Sequence, residues 1–253
     1  MSPTSPAQNT AAKPQYGIDA PGFIYGFFFA AAFLETAGWF VPAFTLGGYR
    51  IALVGPLLAV AGIVPLVLGT AMVAYGLVGK HRFRDHLLKQ IAWRGDERVL
   101  DVGTGRGLLM IGAAKRLTTG KAVGIDIWRA EDLSGNLAEN TRRNAALEGV
   151  SDRVELISAD VRRMEFPDRS FDVVMSLLCL HNIEDANERA AACREIARVL
   201  KPGGTVLLAD YVPTHGYAEI LRESGLKVRG SKSHFLVALG LMWMVTATKP
   251  TIS

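Results

Sequence analysis

The chain has 253 residues, of which 49% are apolar, with a net charge of +4 and a mean hydropathy of +0.21. This length suits one substantial domain with a smaller segment beside it. The basic residues are spread along the chain, so the charge predicts no nucleic-acid partner. The two cysteines, Cys179 and Cys193, indicate neither a disulfide framework nor a metal site by their number or spacing. We therefore expect a reducing, cytosol-facing compartment and no metal.

The apolar excess lies near the start of the chain, after a polar tail. Residues 1–20 are rich in Pro, Ser, Ala and Thr and lack hydrophobic periodicity, which predicts a disordered N-terminal tail rather than a signal peptide. Residues 21–79 follow with two apolar runs, 21–49 and 51–78, in which Glu35 is the only charged residue. Each run exceeds the ~20 residues that span a bilayer as a helix, so we predict two transmembrane helices joined by a short turn. The alternative is a pair of buried core helices, which two successive runs of this length disfavour.

The flanks of the two apolar runs predict their orientation. Basic residues follow the second run directly, at Lys80, Arg82, Arg84 and Lys89. The turn between the runs offers only Arg50. Because Lys and Arg favour the cytoplasmic side, we predict a two-span membrane protein whose N-terminus and following domain are both cytoplasmic.

A stripe of glycines marks the second run. Gly55, Gly62, Gly69 and Gly76 recur at intervals of seven. Small residues on one helix face allow close helix packing in lipid. The stripe therefore predicts packing against the first run, or against a second copy of the chain in a homo-oligomer.

The stretch 98–110 organises the rest of the chain. Its apolar residues read as a short buried strand, three glycines form a tight turn, and a helix begins at Leu108. Glycines allow a backbone to approach a bound ligand closely. Asp101 stands two residues before the first glycine, and an acid there would repel the pyrophosphate that dinucleotide enzymes bind at a similar loop.

The pattern Asp-x-Gly-x-Gly-x-Gly from Asp101 to Gly107 resembles motif I of the class I S-adenosylmethionine-dependent methyltransferases, whose ligand carries a cationic methionine portion. The resemblance extends over roughly residues 87–250. It implies an α/β, Rossmann-like domain at 80–253 with a seven-stranded, mostly parallel sheet flanked by helices. It also implies S-adenosylmethionine as the cofactor.

The resemblance assigns further residues to cofactor binding. In this family the acid that ends the second strand accepts hydrogen bonds from the two ribose hydroxyls, and Asp126 occupies that position; a plain helix cap is the alternative. Ile127 and Trp128 follow and are expected against the adenine ring, although either could equally belong to the core. After the third strand, Asp160 is expected to bind the adenine amino group, and the N–H of Val161 to contact the ring.

A turn at 166–172 followed by an apolar strand matches the family's fourth motif. Ser176 and Leu177 are expected to line the ligand, with His181 and Asn182 at the mouth of the strand as the candidate catalytic residues. His181 would act as a base or bind a substrate oxygen, but a purely structural role is an equal alternative. The cofactor-binding set implied by the resemblance is Asp101, Gly103, Thr104, Gly105, Gly107, Asp126, Ile127, Trp128, Asp160, Val161, Ser176 and Leu177.

These observations predict a membrane-anchored methyltransferase with an acceptor that is small or lipophilic, such as a quinone precursor, a phenol or a lipid. The apolar stretch 235–241 is a candidate for lipid contact. Two alternatives stay open. The chain could bind S-adenosylmethionine at the membrane without turnover, or it could be a nucleotide-dependent oxidoreductase, which Asp101 disfavours.

Overall fold

The structure is a computed structural model, and it describes residues 12–251. Two long helices come first, joined by a small antiparallel hairpin that turns at Gly47 and Gly48. The second helix continues through one π-helical turn into the domain. These elements are α1 (Pro21–Phe40), β1 (Phe44–Leu46), β2 (Tyr49–Ile51), α2 (Val54–Ala74), the π turn (Tyr75–Gly79) and α3 (Lys80–Leu88).

Glycines let α1 and α2 pack closely. A Cβ on Gly55 would lie 2.6 Å from the carbonyl oxygen of Gly38, and a Cβ on Gly62 would lie 3.2 Å from the side chain of Glu35. Gly69 faces α1 in the same way, whereas Gly76 has open space beside it. The sequence predicts that the stripe packs either against the first apolar run or against a second copy of the chain. In the structure Gly55, Gly62 and Gly69 pack against α1.

Most of the surface of both helices is apolar and exposed. Either helix is long and apolar enough to cross a membrane, which is weak support for an anchor. The helix that starts at Val54 runs without a break to Leu88, over 35 residues. At 1.5 Å per residue it is about 50 Å long, more than the ~30 Å of a bilayer core, so its last turns belong to the domain.

The domain contains the predicted seven-stranded sheet. Its strand order is β5-β4-β3-β6-β7-β9-β8, and only β9 runs antiparallel to its neighbours. The strands are β3 (Arg98–Val102), β4 (Lys121–Asp126), β5 (Val154–Ser158), β6 (Phe171–Leu177), β7 (Leu200–Asp210), β8 (Lys227–Ser233) and β9 (Trp243–Thr248). The helices that flank it are α4 (Leu108–Ala114), α5 (Ala138–Leu147), α6 (Ala186–Val199), α7 (His215–Glu223) and α8 (Phe235–Ala238).

Both faces of the sheet are buried. Since successive side chains of a strand point to opposite faces, neighbouring residues of one strand belong to different core clusters. On β3, Leu100 belongs to one core cluster and Val99 to the other. Phe83, Leu87 and Leu88 of α3 are completely buried in the cluster around Val99. The continuation of α2 is therefore part of the core of the domain.

The stretch 235–241, predicted as a candidate for lipid contact, forms the short helix α8 and the turn after it. Ala238 is buried beside Gly79 at the junction of the π turn and α3. Phe235, Leu236 and Leu241 are exposed. Lipid contact by these three side chains stays a prediction.

The prediction of a disordered tail is wrong for residues 12–20, while residues 1–11 lie outside the described residues. Tyr16 is buried in the core cluster that contains Val99. The backbone of Gln15 exchanges two hydrogen bonds with the Asn144 side chain, at 2.9 and 2.8 Å. Asp19 pairs with Leu133 in a β-bridge. These partners lie more than a hundred positions away along the chain, so no local periodicity marks the segment.

Candidate functional site

A cavity of about 630 Å³ lies at the carboxyl ends of the strands β3 to β6. In this sheet β4 and β6 flank β3, so the order of strands reverses beside the cavity. Such a switch point is the usual ligand site of open α/β sheets. The predicted site residues that line the cavity are Asp101, Gly103, Thr104, Gly105, Asp126, Ile127, Asp160, Val161, Leu177 and Asn182.

Asp101 lies buried in the wall of this cavity at the end of β3. One of its carboxylate oxygens accepts hydrogen bonds from the Thr104 hydroxyl and the Met110 N–H, both at 2.9 Å. Burial raises the pKa of Asp101 to about 7, and the nearby Asp126 carboxylate acts in the same direction. The side chain thus connects β3 to α4 and offers the cavity a carboxyl group that ionises near neutral pH.

Asp126 fixes the glycine loop from the neighbouring strand. Its two oxygens accept hydrogen bonds from the Gly105 N–H and the Trp128 N–H, each at 2.7 Å. The N–H groups of Gly103 and Thr104 both donate to the carbonyl of Ile125. These loop amides are therefore satisfied within the protein, and the loop contributes space to the cavity.

Two glycines of the loop are required by close contacts. Gly103 has a φ of 69°, and a Cβ there would collide with the sulfur of Cys179. A Cβ on Gly105 would lie 2.9 Å from Leu133. Any larger residue would push apart the walls of the cavity.

Asn136 is a cavity residue that the sequence analysis missed. It is buried, its Nδ2 donates to the Arg129 carbonyl at 3.0 Å and to Asp126 at 3.4 Å, and its Oδ1 has no hydrogen-bond partner within residues 12–251. It lies in the long loop before α5, whose composition carries no signal for a ligand.

The residues present fit S-adenosylmethionine. The oxygens of Asp126 and the unpartnered Oδ1 of Asn136 are acceptors for ribose hydroxyls, and the Asp101 carboxylate matches a cationic amino group. The volume of the cavity lies in the range typical of cofactor sites.

Asp160 lines the cavity with its carboxylate already paired. Arg162 Nε donates to both oxygens, at 3.0 and 2.9 Å, and the Arg162 guanidinium also pairs with Glu188. Hydrogen bonds from Arg162 lower the pKa of Asp160. An adenine amino group would share this carboxylate with Arg162.

Four predicted residues do not line the cavity, namely Gly107, Trp128, Ser176 and His181. Ser176 is buried within the sheet, where its hydroxyl donates to the Val102 carbonyl at 3.0 Å, and its contact with the ligand stays a prediction. The indole N–H of Trp128 donates to Ser158 at 2.8 Å. Gly107 precedes α4 with a φ of 85° and has a structural role at the start of that helix.

His181 lies at the same edge of the sheet, in the short turn after β6. Its Nδ1 lies 2.5 Å from one oxygen of Asp210, the last residue of β7. The sequence analysis missed Asp210, although an acid at the carboxyl end of a parallel strand is the same signal that identified Asp126. Asn182, the next residue, lines the cavity.

Cys179 also borders the cavity. Burial raises the pKa of its thiol, and the carboxylates of Asp126 and Asp210 act in the same direction. The thiol stays protonated at neutral pH, so it is not a nucleophile.

The last wall of the cavity comes from both ends of the helical hairpin. Tyr16 and Asp19 precede α1, while Tyr75 and Lys80 follow α2. The buried ammonium of Lys80 donates to the carbonyls of Tyr16 and Gly17, at 3.0 and 2.5 Å, and contacts Asp19 at 3.4 Å. Burial lowers the pKa of Lys80. The segment 15–20, here called the N-terminal strap, therefore closes one side of the site.

Comparison with known proteins identifies methyltransferases as relatives of the domain. A methyltransferase-domain family matches residues 99–204. The 27-O-demethylrifamycin SV methyltransferase of Amycolatopsis mediterranei is 35% identical over 150 residues, which cover 57% of this chain and 52% of that protein. A ubiquinone/menaquinone biosynthesis C-methyltransferase of Pseudomonas putida is 33% identical over 138 residues, 53% of this chain and 49% of that protein. The chain thus spans about half the length of these relatives.

Solved structures share the fold. The [4+2]-cyclase SpnF superposes with a TM-score of 0.56 at 19% identity, over 68% of this chain and 82% of that one. A SAM-dependent methyltransferase from Aquifex aeolicus gives a TM-score of 0.52 at 20% identity, over 65% of this chain and 88% of that one. Since a cyclase is among the matches, the fold by itself does not define the reaction.

Proposed function

We propose that the chain carries a class I S-adenosylmethionine-dependent methyltransferase domain and is a membrane-anchored enzyme that methylates a small or lipophilic acceptor. The cavity wall formed by Asp101, Asp126 and Asn136 carries this proposal. It combines an ionisable carboxyl for the cationic part of the cofactor with acceptors for its ribose hydroxyls.

Bound S-adenosylmethionine would supply a methyl group: the acceptor nucleophile would form a bond to the methyl carbon in line with the breaking carbon–sulfur bond, and S-adenosylhomocysteine would leave with that electron pair. Much of the rate enhancement then comes from holding the two reactants in the correct geometry. A base is required only where the nucleophile must lose a proton. His181, oriented by Asp210, is the residue we assign to that proton, and Asn182 is assigned to an acceptor oxygen.

The acceptor class follows from the helices in front of the domain. The relatives are named for rifamycin, sterol, and ubiquinone or menaquinone methylation, so their acceptors differ widely. Here α1 and α2 expose apolar side chains along their length, and α2 leads directly into a domain helix. These features support two membrane spans that keep the domain at the bilayer surface, where a quinone precursor, a phenol or a lipid would be concentrated.

The basic residues that follow α2 support a cytoplasmic location for the domain, although Lys80 does not contribute to this argument. Lys80 is buried against the N-terminal strap, so Arg82, Arg84 and Lys89 are the residues left to act as the membrane-flanking charges. The positive-inside rule still favours this side over the turn with Arg50.

The test uses the full-length protein in detergent micelles with methyl-labelled S-adenosylmethionine. Membrane lipid and quinone extracts serve as acceptors, and chromatography locates the label. We expect label in a lipophilic product, and less of it with Asp126→Ala at a cofactor concentration near the Kd of the unmodified protein. If no extract is labelled while calorimetry shows cofactor binding, the chain is instead a membrane-tethered binding module.

A further inference from the structure

Tyr75 is the one cavity residue that comes from the π turn between anchor and domain. Its ring lies beside Gly79, and its Cβ lies beside Gly240. Its hydroxyl oxygen is buried and has no hydrogen-bond partner within the described chain, although the residue lines the cofactor cavity. A buried hydroxyl without a partner is destabilising, and π turns recur at functional sites. The hydroxyl is therefore available to a ligand in the cavity.

A second cavity lies between α1 and α2, at the end of the hairpin near the domain. It has a volume of about 280 Å³ and an almost entirely apolar wall. The wall is formed by Ile18, Pro21, Ile24, Tyr25, Phe28, Val73, Gly76 and Leu77.

The chain brings the two cavities next to each other at two points. Ile18 lines the apolar cavity, and the next residue, Asp19, lines the cofactor cavity. Likewise Tyr75 lines the cofactor cavity, and Gly76 lines the apolar one. A polar, partly charged chamber thus adjoins an apolar chamber, with Tyr75 in the lining of the first and Gly76 in the lining of the second.

We infer that the two chambers form one acceptor site for an amphiphile with an oxygen-bearing head and an apolar tail. The Tyr75 hydroxyl hydrogen-bonds the head, and the cavity between α1 and α2 receives the part of the tail next to it. The remaining tail continues into the bilayer beside the exposed hairpin. This inference rests on the proposed methyltransferase function and gives the hairpin a role in substrate recognition beyond anchoring.

The occupant follows from the surroundings of the two chambers. The apolar cavity has almost no polar wall, so it suits a hydrocarbon chain and no charged ligand. Tyr75 and Asn182 both line the cofactor cavity, and Asn182 directly follows the candidate base His181. A head held by Tyr75 therefore lies in the same chamber as a candidate catalytic residue.

A substitution that fills the apolar cavity tests whether this cavity binds the tail of the acceptor. Gly76→Leu adds a side chain to the lining of this cavity, at a position where an added Cβ meets nothing within 4 Å. The matched control is Gly26→Leu on α1, which is also unobstructed and does not line the cavity.

The acceptors are a naphthoquinol with a prenyl tail and the same ring without one. We expect Gly76→Leu to raise KM for the prenylated acceptor about tenfold relative to the tailless one. Gly26→Leu should change neither value. Equal effects of Gly76→Leu on both acceptors would overturn the inference.

Removal of the Tyr75 hydroxyl tests whether this group binds the head of the acceptor. Tyr75→Phe should raise KM for both acceptors while the calorimetric Kd for S-adenosylmethionine stays unchanged, and the melting temperature should rise because a buried unpartnered hydroxyl is lost. Tyr49→Phe, at an exposed position in β2 that lines neither cavity, is the control. An unchanged acceptor KM in Tyr75→Phe would assign the hydroxyl no role in binding.

A binding readout separates this inference from the proposed function. A prenylated naphthoquinol with a photoreactive group in its tail is crosslinked to the full-length protein in phospholipid vesicles, and labelled peptides are mapped by mass spectrometry. We expect label at residues 18–28 and 73–77 that falls with unlabelled competitor and in Gly76→Leu. Label restricted to the outward helix faces, or unaffected by competitor, would mean that bilayer lipid occupies the cavity and would overturn the inference. Methyl transfer to acceptors without this label would leave the enzyme function intact.

Discussion

The imidazole Nδ1 of His181 lies 2.5 Å from one carboxylate oxygen of Asp210, and the backbone N–H of His181 donates to the other oxygen at 3.1 Å. Asp210 is buried and also accepts hydrogen bonds from the Tyr211 N–H and the Tyr217 hydroxyl. Burial and the adjacent carboxylate raise the pKa of Tyr217, which keeps it a hydrogen-bond donor. A carboxylate fixed in this way orients the imidazole and directs Nε2 away from itself.

His181→Gln tests whether this orientation serves catalysis. If His181 takes a proton from the acceptor, kcat should fall by about 100-fold or more, and the pH dependence of kcat should flatten. Asp210→Asn should lower kcat less and leave a pH dependence, because the ring remains. The Kd for S-adenosylmethionine should be unchanged in both variants. An unchanged kcat in folded His181→Gln would assign the pair a structural role.

Asp126→Ala should weaken cofactor binding at least tenfold. The variant leaves the hydroxyl donors of a bound ribose without an acceptor, which costs about 1–3 kcal/mol. It also removes the acceptor of the Gly105 N–H, so Asp126→Asn, which keeps one oxygen, should lose less affinity. Asp152→Ala at an exposed site is the control. Calorimetry that finds equal affinity in a folded Asp126→Ala protein would remove this residue from the site.

The pKa of Asp101 predicts a pH dependence of cofactor affinity. Since the carboxyl has a pKa of about 7 without ligand, and only its ionised form attracts a cationic ligand, affinity should fall as pH drops below about 7. Calorimetry from about pH 5.5 to about pH 8.5 would measure this change. Asp101→Asn should bind more weakly and show a flatter profile. A pH-independent affinity in the unmodified protein would contradict the prediction.

The same group affects stability with the opposite trend. Its pKa in the folded protein, about 7, lies above the ordinary value of 3.8, so the folded protein binds this proton more tightly than the unfolded chain. The contribution of Asp101 to the free energy of unfolding therefore falls as pH rises from about 4 to about 7 and is constant above that. Melting curves of Asp101→Asn should lack this component.

The parts of the site that sequence predicts are those with a local pattern. Asp101 and Asp126 lie at the ends of β3 and β4, and the glycine loop follows β3; both strands are recognisable from their apolar residues. The end of β6 has no such pattern, because apolar residues continue beyond it to Leu180. In the structure β6 ends at Leu177, and Leu178 takes a φ of 54°, so the cavity is lined by Leu177, Leu178 and Cys179.

The N-terminal strap and its contact with Lys80 depend on residues that are far apart along the chain. Ile18 donates to the Ser134 hydroxyl across 116 positions, and Lys80 reaches the Tyr16 carbonyl across 64. A polar segment without periodicity gives no sign that it will pack in this way. Lys80 follows an apolar run, where a lysine ordinarily marks a membrane flank, yet its side chain is buried.

Reporter fusions test the proposed topology. The helices α1 and α2 pack as a hairpin and Arg82 and Arg84 follow the second of them, so fusions at the N-terminus and after Ser253 should both report the cytoplasm. A fusion at the β1–β2 turn, at Gly47, should report the opposite side. Equal cytoplasmic signals from all three positions would mean that the hairpin does not span the membrane.

Lys80→Met tests whether the N-terminal strap closes the cofactor site. Methionine keeps an apolar chain of similar length but leaves the carbonyls of Tyr16 and Gly17 without their donor, at about 1–3 kcal/mol for each buried acceptor that water does not reach. The strap should then open more often. Hydrogen exchange of the amides in 15–20 should become faster, with no change in the strands.

The consequence for the cofactor follows from the residues that the strap contributes. Because Tyr16 and Asp19 line the cavity, each opening removes part of its wall, and the Kd for S-adenosylmethionine should rise about tenfold in Lys80→Met. Lys89→Met, at an exposed basic position two turns further on, should change neither the exchange nor the Kd. Reciprocally, bound cofactor should slow exchange in 15–20 in the unmodified protein. Faster exchange in Lys80→Met with an unchanged Kd would show that the strap only covers the site and contributes nothing to binding.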